Sequence, residues 1–169
     1  MQKLPPDAAA RAELTAQLRN NSKLSGVCLN FAWKAIEPEA GKPDFAVLDQ
    51  TIADLRKLGL KYQLCLKPGA DTPAFVYTEG AQAFPTQVTN PHRANVGETI
   101  NIPVPWDPIY ERNFSSIIQE LGRRYASDPL CVSVVLTCAN YLSAEMHLPK
   151  THSDLVRWAS LGNYNEKLF

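Results

Sequence analysis

The sequence predicts an α/β fold in which about three parallel strands alternate with helices. Three observations carry that expectation. Apolar runs of strand length occur near residues 24–33, 60–67 and 130–138, each bounded by turn residues. The segments between them repeat their apolar residues at helical spacing, so the order reads as one helix followed by three βα units. The strand runs are apolar throughout rather than alternating, which is the pattern of parallel strands covered on both faces.

Taken in order, Asp7 is placed to cap a helix running to about Asn20, with Leu14 and Leu18 one turn apart. Leu24 to Trp33 reads as a buried strand. Asp44 caps a second helix, whose stripe is Phe45, Leu48, Ile52, Leu55 and Leu58, and Gly59 ends it. Leu60 to Lys67 is a second strand, stopped by Pro68-Gly69. Thr72-Pro73 opens a short helix, proline suiting the first helical position. Residues 78–106 show little periodicity and several prolines, so they read as one long loop excursion; a loop of that length is usually functional or disordered. Asp107-Pro108 starts a third helix, striped by Tyr110, Phe114, Ile117, Ile118 and Leu121. Asp128-Pro129 turns into a third strand, Leu130 to Cys138. Ser153 to Leu161 is a fourth helix, and 163–169 begins a fifth element. The three strands are expected side by side in sequence order.

A length of 169 residues implies one domain, 1–169, and 45% hydrophobic content is enough for a core. Seventeen basic and 17 acidic residues are scattered without a basic stripe, so nucleic acid is not an expected partner. No apolar run reaches the ~20 residues of a membrane span, so no membrane is expected either. The N-terminus, Met-Gln-Lys-Leu-Pro-Pro-Asp, lacks the apolar segment of a signal peptide, which implies a cytoplasmic location if the chain is complete. Cys28, Cys65, Cys131 and Cys138 form no Cys-x-x-Cys pair; the first three lie in strand runs and read as buried free thiols. Glu145, His147 and His152 lack a third ligand and metalloprotease spacing, so no metal is expected. No glycine-rich phosphate motif follows any strand, so no cofactor is expected, and Ser143 is not in a nucleophile elbow.

Ligands of parallel α/β folds bind at the C-terminal ends of the strands. The run Trp33-Lys34-Ala35-Ile36-Glu37-Pro38-Glu39-Ala40-Gly41 lies at such an end. Tryptophan beside carboxylates suits a sugar, whose ring face stacks on an indole while its hydroxyls bond to acids. Asn30 and Lys67, near the ends of the first two strands, are candidates to bond hydroxyls, and Trp33 to stack. Each serves equally well as local support for loop backbone. Glu37, before Pro38, reads as a loop brace, and Trp106 as an anchor for the long loop.

The segments W-x-x-I-E-P-x-x-G (33–41), D-F-x-x-L-D (44–49), K-L-G-L-K-Y-Q-L-C-L-K-P-G (57–69) and T-P-A-F (72–75) resemble the N-terminal half of retaining glycoside hydrolases of the (β/α)8-barrel type, β-galactosidase and cellulase-like families. The run T-C-A-N-Y-L-S-A-E-M-H-L-P (137–149) resembles the end of their fourth strand. The resemblance implies a partial TIM barrel that supplies the second, third and fourth strands, with no counterpart of the first strand or of strands five to eight.

It also implies that Glu145 is the general acid/base, among apolar neighbours that raise a carboxyl pKa. Asn140 joins Asn30, Trp33 and Lys67 as a substrate-binding candidate. One departure stands out. Many such barrels place asparagine immediately before the acid/base, and here Ala144 holds that position. The resemblance places the nucleophile on a late strand, outside this chain. The implied partners are a carbohydrate substrate and a second chain, or a second copy, that completes the barrel. The alternative is a non-catalytic carbohydrate-binding or assembly module derived from such a barrel.

Overall fold

Four parallel strands, in the order β1-β2-β3-β6, form the main sheet of this computed structural model, which describes residues 2–136 and 151–161. They are β1 (Gln2–Lys3), β2 (Gly26–Ala32), β3 (Lys61–Lys67) and β6 (Cys131–Val135). The three expected strands are present, parallel and adjacent in sequence order. The strand expected to be missing is corrected: β1 pairs with β2, Gln2 opposite Leu29 and Lys3 opposite Asn30, where a first barrel strand belongs.

The helices begin where the polar caps stand. Asp7 accepts the Ala10 N–H at 2.8 Å and opens α1 (Ala8–Arg19). Asp44 accepts from Ala46 N just ahead of α3 (Ala46–Lys57). Asp107 accepts from Ile109 and Tyr110 N and sets Pro108 in the first turn of α5 (Pro108–Tyr125). Short helices α2 (Trp33–Ile36) and α4 (Ala74–Thr78) follow β2 and β3, and α6 (His152–Ala159) is capped by Thr151. Gly26 lets β2 approach β3, because a Cβ there would meet the Lys61 carbonyl oxygen at 2.7 Å.

The main core lies on one face of the sheet. Leu29 and Phe31 of β2 and Tyr62, Leu64 and Leu66 of β3 pack with α3 residues Leu48, Ile52 and Leu55 and α5 residues Tyr110, Phe114, Ile117 and Leu121. Strand side chains alternate, so the opposite face carries Cys28, Asn30, Gln63, Cys65, Lys67 and Ser133. The expectation of strands apolar on both faces therefore holds on the helix-covered face alone. The other face is mixed, and Gln63 donates to Ser133 Oγ across it at 2.6 Å. Cys65 is buried, and that burial pushes its thiol up to about 11; Cys28 and Cys131 are half-buried free thiols.

Residues 78–106 are not one irregular loop. They contain an antiparallel hairpin, β4 (Ala83–Gln87) with β5 (Thr99–Pro103). Pro85 is accommodated because a two-stranded hairpin offers outward edges. Hairpin and α6 share a second core of Phe84, Ile102, Val104 and Trp158. Trp106 packs edge-on against Trp158 at 5.4 Å, the anchoring role expected of it.

Candidate active site

The C-terminal ends of β2 and β3 bring Asn30 and Lys67 together. Asn30 stands opposite Cys65 and Ala32 opposite Lys67, so both side chains start from the same sheet face, one diagonal step apart. Lys67 Nζ is 2.9 Å from Asp71 Oδ2, and Lys34 Nζ is 3.1 Å from Asp71 Oδ1. Asp71 thus holds two lysines over the end of β3. Asp71 lies in the turn after Pro68, four residues from Lys67, where no motif or periodicity marks it in the sequence.

Trp33 is a correction. It was expected to present an indole to a sugar, yet it is fully buried. It continues the helix-facing parity of Leu29 and Phe31, and its ring packs among Phe75, Tyr110 and Phe114 at centroid distances of 5.5–6.3 Å. No face is left for stacking. Its Nε1–H donates to Glu37 Oε2 at 2.8 Å, while Glu37 Oε1 accepts from Gly41 N at 3.1 Å. Glu37 is therefore the brace that its place before Pro38 suggested: one buried carboxylate ties the indole to the turn. Asn140 and Glu145 lie outside the described residues, as do Cys138 and His147.

A further network joins the two excursions that follow β3 and β6. Asp154 of α6 is buried; its Oδ2 accepts from Thr86 Oγ1 of β4 at 2.7 Å, and its Oδ1 accepts from Arg157. Arg157 also donates to the Pro85 carbonyl and lies 4.8 Å from the Phe84 ring centroid. Burial works to raise the Asp154 pKa, but the bonds from Thr86 and Arg157 outweigh it and the net shift is downward. These groups border a polar cleft of about 360 Å³ with Gln87, Thr99 and Ser153. Nothing in a local sequence window marks Asp154 as buried, since its partner is 68 residues away.

A larger cleft, about 620 Å³, lies at the other end of the sheet, among Asp49, Arg56, Arg124 and Asp128. Its charges are consumed locally. Asp128 accepts from Tyr62 OH and Arg56, and Asp49 from Tyr125 OH and Arg124. In barrels this end serves stability, not chemistry. Among the described residues no group of three or more His, Cys, Asp or Glu sits close enough to hold a metal ion, and no helix is long and apolar enough to cross a membrane.

Residues 8–161 match the sequence profile of glycoside hydrolase family 42, described as beta-galactosidase. The chain belongs to this family. The β-galactosidase BglY of Alicyclobacillus acidocaldarius is 28% identical over 150 residues, 86% of this chain and 21% of its own length. The β-galactosidase BgaH of Haloferax lucentense is 31% identical over 108 residues, 59% of this chain and 14% of its own length. The crystal structure of the β-galactosidase from Rahnella sp. R3 superposes with a TM-score of 0.57 at 22% identity, covering 84% of this chain and 20% of that one. The fold is that of the N-terminal portion of a (β/α)8 barrel, and this family 42 chain spans about a fifth or less of the length of the relatives it matches.

Proposed function

We propose that this chain supplies the N-terminal part of the active site of a retaining glycoside hydrolase acting on β-galactosides. One observation carries the reading: the family 42 match runs through all four sheet strands but β1, and Asn30 and Lys67 share a face at the strand ends where such barrels bind ligand. The relatives' names supply the substrate class.

In this reading Glu145 is the acid/base. Its carboxyl protonates the glycosidic oxygen as the C–O bond breaks, while a second carboxylate, ~5 Å away, attacks the anomeric carbon. The Glu145 carboxylate then takes a proton from a water whose oxygen bonds to the anomeric carbon as the bond to the second carboxylate breaks, releasing the sugar and restoring both carboxyl groups. The second carboxylate lies outside these 169 residues. Asn30, Lys67 and Asn140 bond sugar hydroxyls, with Lys67 held by Asp71. Trp33 acts from behind, by fixing the turn after β2.

The test is a chimera in which this chain replaces the matching segment of the Alicyclobacillus enzyme. It is expected to hydrolyse an alkyl β-galactoside. Glu145→Gln should lower kcat by ~10²–10⁴ and remove the basic limb of the pH profile. A chimera whose turnover is indifferent to Glu145→Gln would end the assignment.

A further inference from the structure

Two lysines and one aspartate meet at the C-terminal end of the sheet. Lys67 is the last residue of β3, Lys34 lies in α2 directly after β2, and Asp71 lies in the turn after β3. Asp71 Oδ2 is 2.9 Å from Lys67 Nζ, and its Oδ1 is 3.1 Å from Lys34 Nζ. The cluster therefore joins the excursions of two neighbouring strands at the edge where (β/α)8 barrels bind ligand. The turn that carries Asp71 is itself backed, since Ala70 packs against the second core.

The cluster is not neutral. Among the described residues neither lysine has an acidic partner other than Asp71. Glu39 is paired with Lys42, and Glu37 is occupied by Trp33 and Gly41. One carboxylate between two ammonium groups leaves one positive charge unmet. The Lys67 and Asp71 side chains are only 21% and 24% exposed, so water screens that charge incompletely. Bracing of loops accounts for Lys34, which donates to the Ala70 carbonyl at 3.3 Å and so ties α2 to the turn after β3. It does not account for Lys67. Its partner lies four residues further along the same excursion, so their pair joins no second element. A partly covered positive charge in excess of what the fold uses, at the ligand edge, is suited to an anion.

We propose that Lys67 and Lys34 bind an oxyanion at the exocyclic carbon of the sugar: the carboxylate of a galacturonoside, or a sulfate ester. That the ligand is a sugar rests on the glycosidase reading; that it is acidic rests on the two lysines. Asp71 shows that a single carboxylate spans both ammonium groups, so an oxyanion of that size on the ligand can bridge them as well. The exocyclic carbon is the position at which a carboxylate and a sulfate ester can equally stand. A neutral galactoside offers a hydroxyl there, which accepts a bond from lysine and leaves the excess charge unmet; a bond between two ionised groups is roughly twice as strong. Asp71 is a positioning residue, holding together two like charges that repel in its absence.

Binding to the full chain is measured by nuclear magnetic resonance titration with methyl β-galactoside, methyl β-galacturonoside and methyl β-galactoside 6-sulfate. At least one acidic glycoside should bind roughly tenfold more tightly than the neutral one, and the advantage should shrink as salt is raised. Preference for the galacturonoside alone identifies a carboxylate, for the sulfate alone an ester, and for both a site that reads charge. Lys67→Met and Lys34→Met keep the apolar stem and remove the charge; each should weaken acidic binding more than neutral binding, and the double variant should show no preference. Lys67→Arg should keep the preference, which a merely structural role for the lysine stem would not require. Equal affinity for the three glycosides, no binding of either acidic one, or a preference that survives the double variant overturns the proposal. The chimera keeps the two readings apart. Turnover of a neutral galactoside that depends on Glu145 and shows no acidic preference removes the oxyanion site alone. Lysine-dependent acidic binding by the chain, with turnover of the chimera indifferent to Glu145→Gln, removes the acid/base assignment alone.

Discussion

The two cores of this chain are held by different physics. The main core is apolar and continuous: alternate residues of β2 and β3 meet stripes of α3 and α5, and the buried carboxylate of Glu37 is occupied with an indole and a turn amide. The second core is small. Among the described residues it has four buried side chains, Phe84, Ile102, Val104 and Trp158, and a polar staple, Thr86–Asp154–Arg157, lies beside them. A large apolar core is non-directional and tolerates shift; a buried staple specifies one register, because misplacing it leaves a carboxylate unpaired. The difference suits their places. The main core must hold the sheet, whereas the hairpin and α6 must keep two excursions after β3 and β6 in one relation to each other.

The largest effect that tests this contrast is a cavity in the main core. Leu64 is fully buried at the centre of β3. Leu64→Ala should cost about 2–5 kcal/mol and lower the midpoint of chemical denaturation for the whole sheet, read by far-UV circular dichroism. A cost below about 1 kcal/mol would mean that the core collapses around the deletion and is looser than its burial implies.

A smaller and more local effect is expected from Thr86→Val. The shape is kept and one donor to Asp154 is lost, which costs about 1–3 kcal/mol when the acceptor stays buried. Amide exchange in β4, β5 and α6 should quicken while that of β3 stays slow. Thr86→Ser should restore protection. If the loss spreads equally through β3, the two cores unfold as one and the contrast fails.

The same two regions differ in how much of them the sequence reveals. Strands β2 and β3 and helices α3 and α5 are plain, because the strands lie in apolar runs bounded by turn residues and the helices repeat their apolar residues at the helical period. β1 is two residues long and carries no pattern. The hairpin was hidden by its prolines, although Phe84, Thr86 and Val88 alternate as buried positions between exposed Pro85 and Gln87. Trp33 misled for a related reason. Its place past the strand suggested a ligand, while the period-two series Leu29, Phe31, Trp33 placed it with the core. Of the candidate site, the pairing of Asn30 with Lys67 was legible from their positions at strand ends. Asp71 and the staple were not, because what defines them is a partner distant in sequence or a turn without periodicity.

Acid provides the gentlest test, and it turns on the sign of the carboxylate shifts. Asp154, Asp49 and Asp128 are all held below the ordinary carboxylate range. For Asp154 and Asp49 burial opposes the shift, and hydrogen bonds from Thr86 and Arg157, or from Arg124 and Tyr125, overcome it; for Asp128 the Tyr62 hydroxyl leads. A carboxylate whose folded pKa is depressed stabilises the fold fully above its unfolded value, about 3.9 for aspartate. That stabilisation is lost as pH falls through the lower, folded value. Nothing should therefore change between pH 7 and 5, and loosening should begin below about pH 4. The arginines of all three pairs are exposed, so water and salt screen each in part, but the Asp49 and Asp128 carboxylates are themselves 35% and 11% exposed. The Asp154 side chain is 5% exposed, so its pairing is screened least, and among the described residues its core has fewer buried apolar side chains than the main core. The hairpin and α6 should thus lose amide protection at a higher pH than β3 does. Asp154→Asn, which keeps the shape and cannot ionise, should flatten the acid response of α6 while leaving that of β3 in place. Simultaneous loss of both regions, or an α6 response untouched by Asp154→Asn, would show that the staple is not what sets the smaller core apart.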